Sequence, residues 1–409
     1  MNKNTIYFDN AATTQPTPEV CEALGTVMRN QYGNPSSLHG KGLEAERVVH
    51  EARGKVARVL GVDPACVFFT SGGTEANNMA LFGVCRRRTL ATPAPSGHPL
   101  RNEGGSRVVT TAMEHPSILQ PLMDIERWSW EVKYLSGAKS NRSAPGGWGV
   151  SIEELETALD GRVELLSFAH VNNETGAILP LETVKSLRDR LCPGALLHLD
   201  CAQSFAKMPL AQAMQGVDIV SVSAHKIHGP KGAGAIVLSE RARRRLMPLI
   251  YGGGQEGGLR SGTENTPAIA GFGAAAAQAA EAMAAGSKHA RNLGRALIAG
   301  IEKAGIPYTC ISDYANGSPY ILALAFPGIP AELMLNHLNS EGVYVSTGAA
   351  CSSKRAAKTG SHVLTALGLK DDIIKSAIRF SFSRFNTLTE VEEAVERLKR
   401  IVINIKQKH

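Results

Sequence analysis

From Val67 onward, short apolar runs alternate with longer stretches in which apolar residues recur at helical spacing. The runs are Val67-Phe-Phe69, Arg107-Val-Val-Thr-Thr111, Glu164 to His170, Ala195 to Asp200, and Ile219 to Ser223. This β–α–β alternation predicts a mostly parallel sheet covered by helices on both faces. Upstream, Ile6 to Thr14 predicts a short strand and a polar turn before Pro16 and Pro18. Asn34-Pro-Ser-Ser37 reads as another turn, and the spacing from about Leu43 to Leu60 predicts a helix that Gly61 ends. After Ala268 the pattern changes to a long Ala-rich helix, then strands at Ile321 to Phe326, Val343 to Ser346 and Ile378 to Phe382. An amphipathic helix from about Thr389 to Ile405 closes what reads as a separate, smaller α+β domain. The Pro-, Gly- and Ser-rich Leu90 to Gly105 reads as an insertion loop without a core of its own, and Tyr251 to Gly258 as a long flexible stretch.

Length and composition narrow the class. A chain of 409 residues, 43% apolar and 20% charged, suits a soluble enzyme of two domains rather than a disordered or membrane protein. The Ala-rich Gly271 to Gly286 is interrupted by Gln278 and Glu281 and reads as a packed helix, and the N-terminus has neither a signal-peptide core nor a transit helix. The expectation is a cytoplasmic protein that does not enter a membrane. The net charge of +7 concentrates at Arg86-Arg-Arg88 and at Arg241 with Arg243 to Arg245, without the aromatic interleaving of a nucleic-acid module. Solvated helix ends explain these clusters more simply. Seven scattered cysteines with no Cys-x-x-Cys pair argue against a disulfide framework or a metal site and for a reducing compartment.

The chemistry gathers where the strands end. In open α/β sheets, ligands sit beyond the carboxyl ends of the strands. Thr74, His115, Asn173, Asp200, Gln203, Ser223, His225 and Lys226 all fall there. Lys226 follows a buried strand and precedes the breakers Gly229, Pro230 and Gly232. An amine that loses solvent there becomes the nucleophile that a Schiff base with an aldehyde cofactor requires; a surface lysine beside a turn is the plainer alternative. Gly72-Gly73-Thr74-Glu75 at a strand-to-helix turn offers backbone N–H groups to an anion, or simply a capping box. Neither a dinucleotide fingerprint nor an ATP-binding phosphate loop is present. Asp200, ending an apolar run, must have a partner, either a pyridinium N–H or the start of the next helix. His115 before Pro116 suits stacking on a planar ring or proton exchange. Cys351, among small residues, suits an exposed nucleophilic thiolate. Arg379 within a strand pattern suits a bidentate grip on a carboxylate, or a salt bridge inside the smaller domain.

Taken in order, Tyr7-Phe-Asp-Asn-Ala-Ala-Thr-Thr14, Thr70-Ser-Gly-Gly-Thr-Glu-Ala-Asn77, Glu114-His115, Asn172-Asn-Glu-Thr-Gly176, Asp200 with Gln203, Ser223-Ala-His-Lys226, Arg260-Ser-Gly-Thr263, Cys351 and Ile378-Arg-Phe-Ser381 span nearly the whole chain. In this set the chain resembles the cysteine desulfurases of the NifS/IscS type, class-V aminotransferase relatives that use pyridoxal 5'-phosphate. The resemblance implies the aspartate-aminotransferase-like fold type I, α/β with a large mostly parallel-sheet domain (residues 15–265). A smaller α+β domain (1–14 and 266–409) would carry the catalytic cysteine loop. It implies that Lys226 bonds covalently to the cofactor and later moves the Cα proton. Asp200 would hold the pyridine nitrogen and Gln203 the ring hydroxyl, while His115 would stack on the ring and exchange protons with the substrate thiol. Gly73, Thr74, Ser223 and His225 would hold the phosphate, with Thr263 reaching it from the other subunit of a homodimer. Asn173, beside the cofactor, and Arg379 would bind the carboxylate of L-cysteine. Cys351 would take the sulfur as a persulfide, release L-alanine and serve sulfur-acceptor proteins such as an iron–sulfur scaffold, with no direct role for nucleic acid. A selenocysteine lyase or an aminotransferase on the same fold is the alternative. The chain departs from the pattern at Cys201, at His228 and in the insertion at Leu90 to Gly105.

Overall fold

The computed structural model describes residues 5–91, 105–139, 148–347 and 360–408. Cys351 and most of the expected insertion loop lie outside these. Seven strands form the main sheet, in the spatial order Val67–Thr70, Gly234–Leu238, Ile219–Ser223, Leu196–Asp200, Val163–Ala169, Arg107–Thr111 and Glu131–Leu135. All run the same way except Gly234–Leu238, which is antiparallel to both its neighbours. The reason is the short connection from Ser223 to Gly234, which has no room for the crossover helix a parallel return needs.

Alternate residues of these strands feed two cores, as a sheet buried on both faces requires. Phe69, Val109, Leu166, Leu197, Leu199, Val220 and Val222 point into one. Phe68, Val108, Leu165, Leu196 and Ile219 point into the other. The first face is covered in part by the helices Gly40–Leu60 and Thr266–Glu281, the latter contributing Ala268, Ile269 and Phe272. Gly61, at φ 66° in the left-handed region, closes the Gly40–Leu60 helix as expected. The single Ala-rich helix expected beyond Ala268 is instead two, Thr266–Glu281 and Met283–Lys303, meeting at Ala282.

A three-stranded antiparallel sheet, Thr309–Cys310, Ile321–Ala325 and Ala377–Ser381, builds a further core with Met283–Lys303 and Leu388–Lys408. The expected strand at Val343 to Ser346 is shorter. Val343–Tyr344 pairs in parallel with Ile6–Tyr7, and Ser346 makes a lone bridge to Arg379. The N-terminal segment therefore straps the two halves together. Asn10 Nδ2 donates to the Ser381 carbonyl at 2.9 Å, and four residues later the Thr14 N–H donates to the His225 carbonyl at 2.9 Å. The glycine-rich stretch after Tyr251 is tied down by buried Glu256, which accepts from Arg53 at 2.7 Å and from the Phe69 N–H at 2.9 Å.

Candidate active site

The carboxyl ends of the main strands surround a cavity of about 230 Å³. Ser223 and His225 edge it and Lys226 reaches it from a single 3₁₀ turn, Ala224–Lys226, that the buried Ile219–Ser223 strand runs straight into. The Lys226 amine donates to the carbonyls of Ala11 and Ala12 at 2.7 and 2.6 Å. His225 Nδ1 lies 3.1 Å from the Thr13 hydroxyl. The N-terminal strap thus forms the floor beneath the lysine. Burial, then the cations of Lys226 and Lys231, pulls His225 down to about 4, so its ring is neutral at physiological pH.

Asp200 stands in register with Ala169 and Ser221. Its Oδ2 accepts from Asn77 Nδ2 at 2.8 Å and its Oδ1 from the Ala202 N–H at 2.9 Å. Asp200 thus caps the turn that follows and also lines the cavity. Under it, His198 is sealed between the hydroxyls of Ser167 and Ser221, each 2.9 Å away, and burial pulls it down to about 4. Gln203 lines the same wall, donating to the Ala11 carbonyl at 2.8 Å.

His115 caps the Pro116–Ile125 helix, its Nδ1 accepting from the Ser117 N–H at 3.1 Å. That bond leaves the proton on Nε2. Burial lowers the affinity of the ring for a second proton, against the pull of Asp200. The neighbouring Glu114 carboxyl is enclosed with the Thr111 hydroxyl at 2.8 Å and the Ala169 N–H at 2.7 Å, and burial pushes it up to about 8.

At the opposite end, Gly73 and Thr74 open the helix Gly73–Ala91 and line the cavity. The Gly72 backbone packs so closely on the neighbouring strand that a Cβ at Gly234 would stand 2.6 Å from the Gly72 Cα. The Ser223 hydroxyl next to this helix start is buried and has no hydrogen-bond partner among the described residues. Glu75 holds the turn from the far side, accepting from the Ser71 N–H and Arg260 Nε at 2.8 Å each.

Arg379 lies behind the cavity rather than in its lining. Its guanidinium is 2% exposed, paired with Asp9 at 2.8 Å and donating to the Asn173 carbonyl at 2.8 Å, while Nε has no partner among the described residues. Asn173 itself lines the cavity. Thr263 is exposed and outside it. Cys351 is outside the described residues, yet both flanks of its stretch adjoin this corner. Ser346 pairs with Arg379, and the Ser361 hydroxyl donates to Glu174.

These groups suit pyridoxal 5'-phosphate: a primary amine for an aldehyde, a carboxylate facing the same space, and a helix start with an orphaned hydroxyl for a phosphate. Profiles of known families decide the matter. The family described as Aminotransferase class-V matches residues 6–394. The chain belongs to this family. A class-V relative from Trichormus azollae, a cysteine desulfurase, is 35% identical over 404 residues, covering 98% of this chain and 93% of that protein. A solved class-V structure described as a NifS-like protein superposes with a TM-score of 0.86 at 34% identity, over 98% of this chain and all 100% of the other. A second, SspA in complex with cysteine, superposes at 0.76 with 28% identity, over 94% and 100%. The chain has the pyridoxal-phosphate-dependent fold type I expected of class-V members.

Sequence reasoning missed several residues around the cavity. Asn77 stands within a quoted motif, but no local signal marks it as the partner of Asp200. Asp9, Ala11 and Ala12 lie in the quoted Tyr7–Thr14 stretch, yet nothing there marks the Asp9 carboxylate as the partner of Arg379 or the two carbonyls as acceptors for Lys226, and Lys207 is outside every quoted motif, because these roles exist only once distant segments meet.

Proposed function

We propose that this class-V protein is a homodimeric, pyridoxal-phosphate-dependent cysteine desulfurase that takes sulfur from L-cysteine and releases L-alanine. The observation that most supports this is the joint presence in one cavity of the Lys226 amine, the Asp200 carboxylate and a Ser223 hydroxyl without a partner among the described residues. Pyridoxal 5'-phosphate, when bound, supplies an aldehyde for the amine and an electron-withdrawing ring for charge that develops at the substrate's α-carbon.

The chain's own groups do the rest. Gly73, Thr74, Ser223 and His225 grip the phosphate, with Thr263 of the second subunit completing it. Asp200 holds a proton at the ring nitrogen, and Gln203 donates to the ring oxygen. Asn173 and Arg379 orient the substrate carboxylate; Arg379, standing behind the wall, has an Nε without a partner among the described residues to offer it. Lys226 moves the proton at the α-carbon, and His115 offers its Nε2 proton to the substrate's polar groups. Cys351, as thiolate, attacks the substrate sulfur: an S–S bond forms, the C–S bond breaks, and the electron pair left on the β-carbon takes a proton to give alanine. The persulfide sulfur then passes to an acceptor protein, such as an iron–sulfur scaffold, in the cytoplasm. No helix among the described residues is long and apolar enough to cross a membrane. In this reading the large unit holds the cofactor and the smaller one brings the cysteine.

Incubating the pure protein with L-cysteine and a thiol reductant tests the reading: sulfide and alanine should appear in equal amounts. Cys351→Ser should keep the visible absorption of the loaded protein and stop both products. Alanine without sulfide would overturn it.

A further inference from the structure

Behind the cavity wall stands a second buried amine. Lys207, 9% exposed, follows the turn that carries Gln203, and its Nζ approaches Gln203 Oε1 at 3.5 Å. The other pole of that amide, Nε2, donates at 2.8 Å to the Ala11 carbonyl, which also accepts from Lys226 at 2.7 Å. Lys207, Gln203, the Ala11 carbonyl and Lys226 therefore form one continuous chain of polar contacts. Turning the Gln203 amide over would set its NH₂ against the Lys207 amine and its oxygen against the Ala11 carbonyl. Two attractions would become two repulsions.

A lysine is a costly way to fill this space. The charged and titratable groups around it are Lys226 and His225 from the turn after the sheet, Arg379 from the second sheet, His228 and Arg384 from the loops. The Tyr320 ring is a further neighbour, its centroid 5.7 Å from Nζ. Burial and the positive charges of Lys226 and Arg379 pull its amine down to about 7. A small void of about 20 Å³, lined by Lys207, Lys226, His228, Tyr320 and Arg384 among others, has room for one water to satisfy its remaining donors. An apolar side chain of the same length would fill the place without any of this desolvation.

We propose that Lys207 is a positioning residue, retained to lock the Gln203 amide with its N–H pole toward Ala11, Lys226 and the cavity. The inference rests on the reading of Gln203 as a group that holds pyridoxal phosphate. It predicts that Lys207 acts on cofactor binding only through that amide.

The test uses full-length apoprotein titrated with pyridoxal 5'-phosphate and followed by visible absorption, for the wild type, Lys207→Met, Gln203→Ala and the double variant. Lys207→Met should weaken uptake about tenfold, the size of one lost hydrogen bond. In the Gln203→Ala background the same replacement should cost nothing further. A second readout needs no cofactor: Lys207→Met apoprotein should melt at a higher temperature than wild type, because the cost of burying an amine beside Lys226 and Arg379 is gone. Equal losses of uptake in both backgrounds, or a lower melting temperature, would overturn the proposal. A wild type that takes up no pyridoxal phosphate would instead remove the reading of the previous subsection, and the melting comparison would still decide whether Lys207 is there for the fold.

Discussion

The two sheets place their polar residues differently. In the seven-stranded sheet the central strands carry only neutral polar groups in mid-strand, Ser167, His198 and Ser221, which bond one another, and the cavity residues stand where strands stop, at Asp200, Ser223 and the Thr111–His115 turn. In the three-stranded sheet, Arg379 sits in mid-strand, opposite Ala323, with apolar Ile378 and Phe380 on either side. A residue at a strand tip meets the cavity by virtue of topology alone. A charge in mid-strand needs a partner brought from elsewhere, here Asp9 from the far end of the chain. Strand tips can therefore change their chemistry at small cost to the fold, whereas Arg379 is bound up with stability.

The largest expected effect breaks the comparison at its tip end. Lys226→Ala should abolish sulfide production and the visible absorption of bound cofactor, with the melting temperature of the apoprotein little changed, as absorption spectra and calorimetry would record. Asp200→Asn should come next, lowering turnover by about 10²–10³-fold, the usual scale for a lost electrostatic contact in a dry site, while Asn77 and Ala202 keep the side chain in place. Steady-state sulfide assays measure it. If either variant failed to fold, the division between tips and mid-strand would not hold.

Arg379→Met probes the other side. Removing the guanidinium leaves Asp9 partly buried without its ion pair, so this variant should lose about 3 kcal/mol of stability in a denaturant titration as well as its grip on L-cysteine. A variant that loses only affinity would make Arg379 a tip residue in all but position. The effect at Glu114 touches pH dependence alone. Its folded carboxyl titrates near 8 against a usual value of 4.5, so the folded protein keeps a proton that the unfolded chain releases. Stability from this group is complete below about 4.5 and is lost as pH rises to about 8. Glu114→Gln, able to meet both Thr111 and Ala169, should flatten that decline, which denaturation midpoints across this range would reveal.

The same contrast explains what could be read without coordinates. Lys226, Asp200 and Ser223 stood out because each ends an apolar run, and run endings are local. The Gly40–Leu60 helix was visible by its spacing and by Gly61. The helix Pro18–Asn30 went unnoticed even though Thr17 and Pro18 form a standard start, Thr17 accepting from the Val20 N–H. Gly234–Leu238 was passed over because its short run follows a glycine-rich loop, and its reversed direction depends on a connection length rather than on composition. The link from Asn77 to Asp200 and that from Lys207 to Gln203 have no periodicity to betray them. The pairing of Asp9 with Arg379 joins residues separated by nearly the whole chain, and no window of sequence contains both.

That strap has a bearing on how the molecule is made. On the ribosome, Asp9 and Ala11 emerge 370 residues ahead of Arg379 and Ser381, which hold them. The floor under Lys226 therefore stays unheld until the strand Ala377–Ser381 has been made, and a chain cut short before Ala377 would present the seven-stranded sheet without that support. Competence for chemistry therefore waits for the last strand of the smaller sheet, which follows Asp9 off the ribosome by roughly 20–70 seconds at the usual pace of synthesis.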